Sequence, residues 1–101
     1  NSKKIRLSVW DNERVDGDRI SLSLNGKWIL RNYEIAKEKH SFDIELIKNQ
    51  VNELVFFAEN LGEIPPNTTA INIQYKDYNK THIMRSNMDK SASINFYIEE
   101  E

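Results

Sequence analysis

Four acidic residues near the start of the chain have the side-chain type and spacing best suited to chemistry. They are Asp11, Glu13, Asp16 and Asp18, in the stretch DNERVDGD. Calcium takes about six to eight oxygen ligands from carboxylates, carbonyls and waters, and a glycine lets the backbone turn sharply between them. Gly17 stands among these acids. The loop is therefore a candidate Ca²⁺ site.

The same loop also has a purely structural interpretation. Its spacing, D-x-E-x-x-D-G-D, departs from the EF-hand pattern, and Arg14 would compete with a cation for the carboxylates. Asp-Gly is ordinary turn chemistry, in which an aspartate accepts hydrogen bonds from nearby backbone N–H groups. We therefore expect no cofactor, with Ca²⁺ as the alternative, and we expect the loop mainly to turn the chain.

Catalytic motifs are absent from the sequence. His40 and His82 lie in strand-like segments with no motif around them, and the chain has no nucleophile elbow, phosphate loop or zinc motif. We predict that the protein is not an enzyme.

Three aromatic residues are candidates for stacking on a ligand such as a sugar: Trp10, Trp28 and Tyr33. Trp10 stands on the polar phase of its strand, opposite to Ile5, Leu7 and Val9. The alternative is that these rings fill the core or the rim of the fold, as large aromatic side chains often do.

The secondary structure that would hold these residues is predicted to be β-strand. Apolar residues recur at every second position along much of the chain, which is typical of strands with one buried face. Alternating segments occur at residues 5–9, 20–24, 42–46, 71–75 and 94–98. Residues 27–31 and 54–58 are more continuously apolar, and residues 80–86 form a weaker strand candidate. About seven to eight short strands predict an all-β antiparallel sandwich of the Ig-like or jelly-roll type.

The turns between these segments support that prediction. Asn25-Gly26 lies between two apolar runs and is a strong signal for a two-residue hairpin. A second hairpin is expected at residues 76–80, and a shaped loop at residues 60–68, which contain both prolines. Residues 32–40 and 43–54 tolerate helical turns, but alternation favours strand, loop and strand in the second of these segments.

The direction of successive strands predicts which loops share an end. If the strands run up and down, the first strand ends at Trp10, at what we call end A, and the Asn25-Gly26 turn lies opposite, at end B. The segment after residue 58 then returns to end A. Glu59, Asn60 and Glu63 would therefore form a rim beside the acidic loop, tying two loops together or lining a ligand site.

Composition narrows the function classes. The chain has 101 residues, a net charge of −2, 39% hydrophobic and 30% charged residues, and no cysteine. Residues 1–101 are expected to form one domain, excised or processed from a longer precursor, since the chain begins with Asn1. The mildly acidic balance argues against nucleic acid, and no apolar run is long enough to span a membrane.

Two stretches resemble a domain of secreted proteins and lipoproteins from Bacteroidetes-type bacteria: DNERVDGDRISLSLNGKWIL and NELVFFAENLGEIPPNTTAINI. The pattern is D-x-x-x-x-D-G-D, a short strand and N-G, followed later by N-E-L-x-x-x-A-E-N-x-G-x-x-P-P-N-T. The resemblance covers most of the chain. It implies a β-sandwich in a periplasmic or extracellular setting, of largely unassigned function, and it implies no catalytic residues.

Together these features predict a non-enzymatic structural or interaction module of a bacterial envelope or secreted protein. Its expected partner is a protein or a glycan at the cell envelope. The alternative is a calcium-dependent carbohydrate-binding module, with the ion held at end A and an aromatic ring stacked on the sugar.

Overall fold

Alternating apolar and polar residues form strands along most of the chain. The computed structural model describes residues 2–11, 17–60, 67–86 and 91–99. Within them the strands are β1 (Ser2–Trp10), β2 (Arg19–Leu24), β3 (Lys27–Glu34), β4 (His40–Ile47), β5 (Val51–Ala58), β6 (Asn67–Tyr75), β7 (Tyr78–Ser86) and β8 (Ser91–Tyr97). The predicted all-β fold is confirmed, and residues 43–54 form strand, turn and strand.

The strands form two antiparallel four-stranded sheets that pack together as a sandwich. Sheet one has the order β4-β1-β6-β7, and sheet two has the order β3-β2-β5-β8. The chain changes sheet between β1 and β2, whereas β2–β3 and β6–β7 are hairpins within one sheet. The predicted sandwich is therefore confirmed. Because every pairing is antiparallel, β1, β3, β5 and β7 all end at end A.

The two predicted hairpins are present. Asn25 and Gly26 have φ angles of 52° and 82°, the positive values that a type I′ turn requires at both central positions. The β6–β7 hairpin turns at residues 76–77, with Lys76 at a φ of 51°. These turns fix the register of their strands, and with it the face on which each side chain lies.

The core lies between the two sheets and consists of the inward phase of each strand. Leu7, Ile20, Leu22, Phe56 and Ile71 are among its fully buried side chains. Burying each such side chain contributes about 1.5–3 kcal/mol to folding. The apolar run at residues 54–58 belongs to β5, an interior strand of sheet two, where Leu54 and Phe56 face the core.

End B is held by a buried polar side chain. Asn52 is completely buried. Its Oδ1 accepts hydrogen bonds from Ile47 N (2.8 Å) and from Asn25 Nδ2 (2.9 Å), and its Nδ2 donates to Ile47 O (2.9 Å) and Gln50 O (3.1 Å). One side chain thus closes the β4–β5 turn and joins it to the β2–β3 hairpin.

The β2–β3 hairpin is clamped to β5 by a further pair of hydrogen bonds. Asn25 N donates to Glu53 O and Glu53 N donates to Asn25 Oδ1, each at 2.9 Å. The turn that precedes Trp28 is therefore fixed relative to the strand that carries Phe57.

Candidate functional site

The acidic loop is held at both of its ends by the β3–β4 connection. Asp11 N donates to Ala36 O (2.8 Å), and Ile35 N donates to Asp18 O (3.0 Å). Ile35 is buried in the core, and Asp11 and Asp18 are only 2% and 3% exposed. These two carboxylates therefore lie beneath the surface of end A and not on an open rim.

Asn60 joins the acidic loop to the segment that follows β5. Its Oδ1 accepts a hydrogen bond from Arg19 N (2.8 Å), and its Nδ2 donates to Gly17 O (3.2 Å). The adjacent Glu59 N donates to Arg19 O at 2.8 Å. The structure thus brings Glu59 and Asn60 together with residues 17–19 at end A, by contacts that hold backbone in place.

A buried serine extends this polar cluster along sheet two. Ser21 is completely buried, although it stands on the outward phase of β2. Its Oγ donates to Glu59 Oε2 and accepts a hydrogen bond from Asn32 N at 2.9 Å. Asn32 has a positive φ of 50°, next to register shifts between β2 and β3.

Arg19 fastens the same irregular part of β3. Its Nε donates to Asn32 Oδ1 (2.9 Å) and its Nη2 to Asn32 O (2.7 Å), while Nη1 lies 3.2 Å from Glu34 Oε1. Because the Arg19–Glu34 pair is exposed, its net contribution to stability is small. The sequence indicated Glu59 and Asn60 as residues that tie two loops together. It did not indicate Arg19, Ser21 or Asn32, since each of these looks like an ordinary polar residue of a wet face.

Only part of the predicted acidic set lies among the residues that the structure describes. Among residues 2–11, 17–60, 67–86 and 91–99, no group of three or more His, Asp or Glu side chains is arranged to hold a metal ion. Glu13, Asp16 and Glu63 lie outside the described residues, as does Arg14. The described pair, Asp11 and Asp18, offers too few carboxylates for a Ca²⁺ site by itself.

The three candidate aromatic residues lie in three different environments. Trp10 is opposite Ala70 on the outer face of sheet one, where Lys39 Nζ lies 4.8 Å from its ring centroid. Tyr33 is opposite Ile20 and packs against the core, with its ring stacked on His40 at 4.6 Å. Only Trp28 combines a large exposed area with a fixed orientation.

Trp28 lies on the outer face of sheet two, opposite Ser23, and is 48% exposed. Its ring contacts Phe57 edge-on, with centroids 5.3 Å apart and an interplanar angle of 61°. The Arg31 guanidinium carbon lies 4.3 Å from the Trp28 ring centroid. We call the surface formed by Trp28, Arg31, Val55 and Phe57 the Trp28 face.

The Trp28 face explains why small polar residues of β2 are buried. Ser21 and Ser23 alternate with the core residues of β2 and so point outward. Both are buried, because Trp28 reaches across β2 to Phe57 on the next strand. The outer face of sheet one differs: there Arg6 and Asp43 form an exposed ion pair, with Nε and Oδ1 3.8 Å apart.

The structure does not bring Trp28 together with the acidic loop. Trp28 is the second residue of β3, which begins at end B, and Asp11 and Asp18 lie at end A. The six residue-to-residue steps from Trp28 to Glu34 span about 20 Å at the usual rise of a strand. Among the three aromatic candidates, Trp10 is the one that directly precedes the acidic loop.

A groove of about 390 Å³ lies between the sheets near end B. It is lined mainly by apolar and aromatic side chains, including Ile5, Leu46, Tyr75 and Phe96.

His82 lies elsewhere, in β7. Burial lowers the pKa of His82, and the charge of nearby Lys80 lowers it further. The buried Nε2 atom of His82 has no hydrogen-bond partner among the described residues.

Comparisons with known proteins return no match: no family model, no curated protein and no solved structure is significantly similar to this chain. The resemblance to secreted Bacteroidetes-type domains stays a prediction. In the part of the chain that the structure describes, no helix is long and apolar enough to cross a membrane.

Proposed function

We propose that this domain is a non-enzymatic interaction module that binds a protein partner through the Trp28 face. The observation that carries the proposal is Trp28 itself, whose indole is 48% exposed yet fixed between Phe57 and Arg31. A solvent-exposed indole held in one orientation loses little conformational entropy when a partner covers it.

The residue types of the Trp28 face support a protein partner. Tryptophan and arginine are enriched among the residues that contribute most to protein–protein binding, and such residues cluster near the centre of an interface. Arg31 already covers part of the Trp28 ring at 4.3 Å. A sugar that stacks on the ring face beneath Arg31 would have to displace Arg31, whereas a protein surface can contact both side chains together.

The polar cluster at end A supports a structural role, and not a catalytic one, for its carboxylate and amide groups. The hydrogen bonds of Asn60 join Gly17 O and Arg19 N, and the Glu59 carboxylate receives the Ser21 hydroxyl. These contacts connect neighbouring chain segments and orient backbone. Turnover in a panel of hydrolase substrates that is lost in Glu59→Gln would overturn the non-enzymatic assignment.

An envelope or secreted setting, periplasmic or extracellular, is part of this proposal and rests on the sequence resemblance. Its direct test is fractionation of the source cells with an antibody against the domain. Recovery of the domain in the cytoplasmic fraction alone would contradict an envelope or secreted setting. It would not bear on the proposal that the Trp28 face binds a protein.

The binding surface is tested by interferometry with the immobilised domain and solubilised envelope protein from a Bacteroidetes-type bacterium. Trp28→Ala should weaken binding by about thirtyfold, the equivalent of about 2 kcal/mol for a central interface residue. The matched control is Tyr78→Ala, because Tyr78 is 47% exposed and lies on the other sheet. Equal binding by the two variants would contradict the proposal.

The second candidate is calcium-dependent carbohydrate binding at end A. The observation that favours it is Trp10, a partly exposed ring directly followed by the buried Asp11. Calorimetry with Ca²⁺ tests the ion, and a glycan array with and without chelator tests the sugar. Two results together would favour this candidate over the first: heat of Ca²⁺ binding, and glycan binding that a chelator abolishes. The glycan binding should be lost in Trp10→Ala and kept in Trp28→Ala.

A further inference from the structure

The four edge strands of the sandwich differ in how they discourage pairing with another chain. An edge strand presents unpaired backbone N–H and C=O groups, and proteins commonly protect such edges with charges, prolines or bulges. In sheet one, β4 carries Asp43 and Glu45, and β7 carries Lys80 and Arg85. In sheet two, β3 carries three charged residues and is irregular where it pairs with β2.

Strand β8 has none of these protections. Its sequence, SASINFY, contains no charged residue, no proline and no glycine. Its pairing with β5 is regular from Val51↔Tyr97 to Phe57↔Ser91. Sheet two ends at β8, and no described strand pairs with its other side. Seven consecutive residues therefore present a straight, uncharged edge.

The sequence of β8 is complementary to itself in the antiparallel direction. When two copies are centred on Ile94, the pairs are Ile94 with Ile94, Ser93 with Asn95, Ala92 with Phe96 and Ser91 with Tyr97. Each large ring is then opposite a small side chain. This register also keeps the alternation of faces, because Ala92, Ile94 and Phe96 belong to the half-buried inward phase.

We propose that β8 is the contact strand of a two-fold symmetric dimer, in which it pairs antiparallel with β8 of a second copy of this chain. The two copies of sheet two would then form one continuous eight-stranded sheet. A two-fold axis through Ile94 makes the contact closed and self-limiting. This inference does not rest on the proposed function: Trp28 is on β3, at the opposite edge of sheet two, and the two surfaces share only the neighbourhood of Phe57 on β5.

Exposed apolar side chains support a second copy of this chain as the partner of β8. Tyr97 and Val51 form a cross-strand pair on the outer face and are 57% and 59% exposed. In the proposed register, Tyr97 lies opposite Ser91 of the second copy, and Phe57 of that copy comes next in the same row. Beside Val51, Tyr97 would therefore gain cover from the small Ser91 and the aromatic Phe57 of the second copy, and no like charges of the two β8 strands would meet.

Single-cysteine substitutions along β8 test the register. The sequence has no native cysteine that could form competing disulfides. Residues directly opposite in an antiparallel pair have Cα atoms about 4.5–5.5 Å apart, within the span of about 4.4–6.8 Å that a disulfide bridges. Under mild oxidation Ile94→Cys should form covalent dimers in the highest yield. Ser93→Cys should form fewer, since its own copy is a diagonal neighbour at about 7–8 Å.

A mixed experiment adds a sharper check of the same register. Ala92→Cys mixed with Phe96→Cys should give the heterodimer in preference to either homodimer. Thr81→Cys, at an exposed position on edge strand β7, reports random collision. A yield that is flat across β8, or no higher than that of Thr81→Cys, would overturn the proposal.

Introducing charges into β8 tests association without covalent chemistry. The Ser93→Lys/Asn95→Lys double variant clusters four positive charges at the proposed contact, and we expect its dimer dissociation constant to rise at least about tenfold. Mixing it with Ser93→Glu/Asn95→Glu should restore dimers in sedimentation equilibrium, whereas Thr81→Lys should behave as the wild type. A wild-type chain that stays monomeric up to about 1 mM would overturn the dimer, since such weak association is worth only about 4 kcal/mol.

Discussion

Each end of the sandwich is tied by an asparagine, Asn52 within β5 at end B and Asn60 just after β5 at end A, but the two side chains differ in burial. Asn52 at end B is completely buried and makes four hydrogen bonds that join two turns. Asn60 at end A is only partly buried, and its amide bridges Gly17 and Arg19. End B therefore has a fixed base held by a buried amide, and end A is a loop assembly held by a partly buried one.

This difference bears on function because the Trp28 face begins at end B. The buried amide of Asn52 holds Asn25, and Asn25 is bonded in turn to Glu53. The hairpin that carries Trp28 is thus anchored to the strand that carries Phe57. A surface that recognises a partner with a fixed indole needs such an anchor. The acidic loop, in contrast, is fastened at the other end of the molecule.

The largest expected effect follows from removing the buried amide at end B. Asn52→Ala removes the four hydrogen bonds of a completely buried side chain, at a cost of about 0.5–1.5 kcal/mol for each bond. We expect the free energy of unfolding, measured with urea, to fall by about 2–5 kcal/mol. The amide control Gln74→Ala, at an exposed position on the outer face of sheet one, should change it by less than about 0.5 kcal/mol.

A smaller effect is expected at end A. Asn60→Ala removes the acceptor of Arg19 N and the donor to Gly17 O in a partly exposed site, so the loss should be about 1–2 kcal/mol. Asn60→Asp keeps the acceptor and should lie between the wild type and Asn60→Ala. If urea unfolding showed a larger loss for Asn60→Ala than for Asn52→Ala, the assignment of the fixed base to end B would be reversed.

The smallest effect concerns pH and His82, which faces the interior from edge strand β7. Burial and Lys80 lower the pKa of His82 in the folded protein, so the unfolded chain takes up the proton more readily. The contribution to stability is therefore present above the ordinary histidine pKa of about 6.5 and is lost as the pH falls through the folded value.

The His82→Gln variant isolates this contribution from the carboxylates that also titrate in acid. We expect the wild type to lose more unfolding free energy than His82→Gln between pH values of about 7.5 and 5.5. Parallel pH profiles for the two proteins would show that His82 is as easily protonated in the folded state as in the unfolded state.

Much of the fold could be predicted from the sequence because it depends on local rules. The period of two located the strands, and Asn25-Gly26 located a hairpin whose positive φ angles the structure has. The count and direction of the strands then implied that the segments around residues 17 and 60 lie at one end. Asn52 could not be predicted as an anchor, because its role depends on turns that meet only in the folded chain.

The Trp28 face could be predicted only in part. The sequence indicated Trp28 as a candidate, but its neighbours Phe57 and Arg31 come from a cross-strand register and an irregular segment of β3. The alternation of β2 predicted a wet outward phase, and the structure instead buries Ser21 and Ser23 beneath aromatic rings. Periodicity reports which face a residue takes, but it does not report what covers that face.

The central claim, that the Trp28 face binds a protein partner, is tested most directly by photo-cross-linking. Val55, which lies in the same cross-strand row as Ser23 and Trp28, is replaced with benzoylphenylalanine, and the domain is irradiated with envelope protein. We predict a discrete protein adduct from position 55 that is lost when Trp28→Ala is added, and no such adduct from the same probe at Thr81 on the outer face of sheet one. An adduct that forms equally at both positions, or one that Trp28→Ala leaves unchanged, would contradict the account.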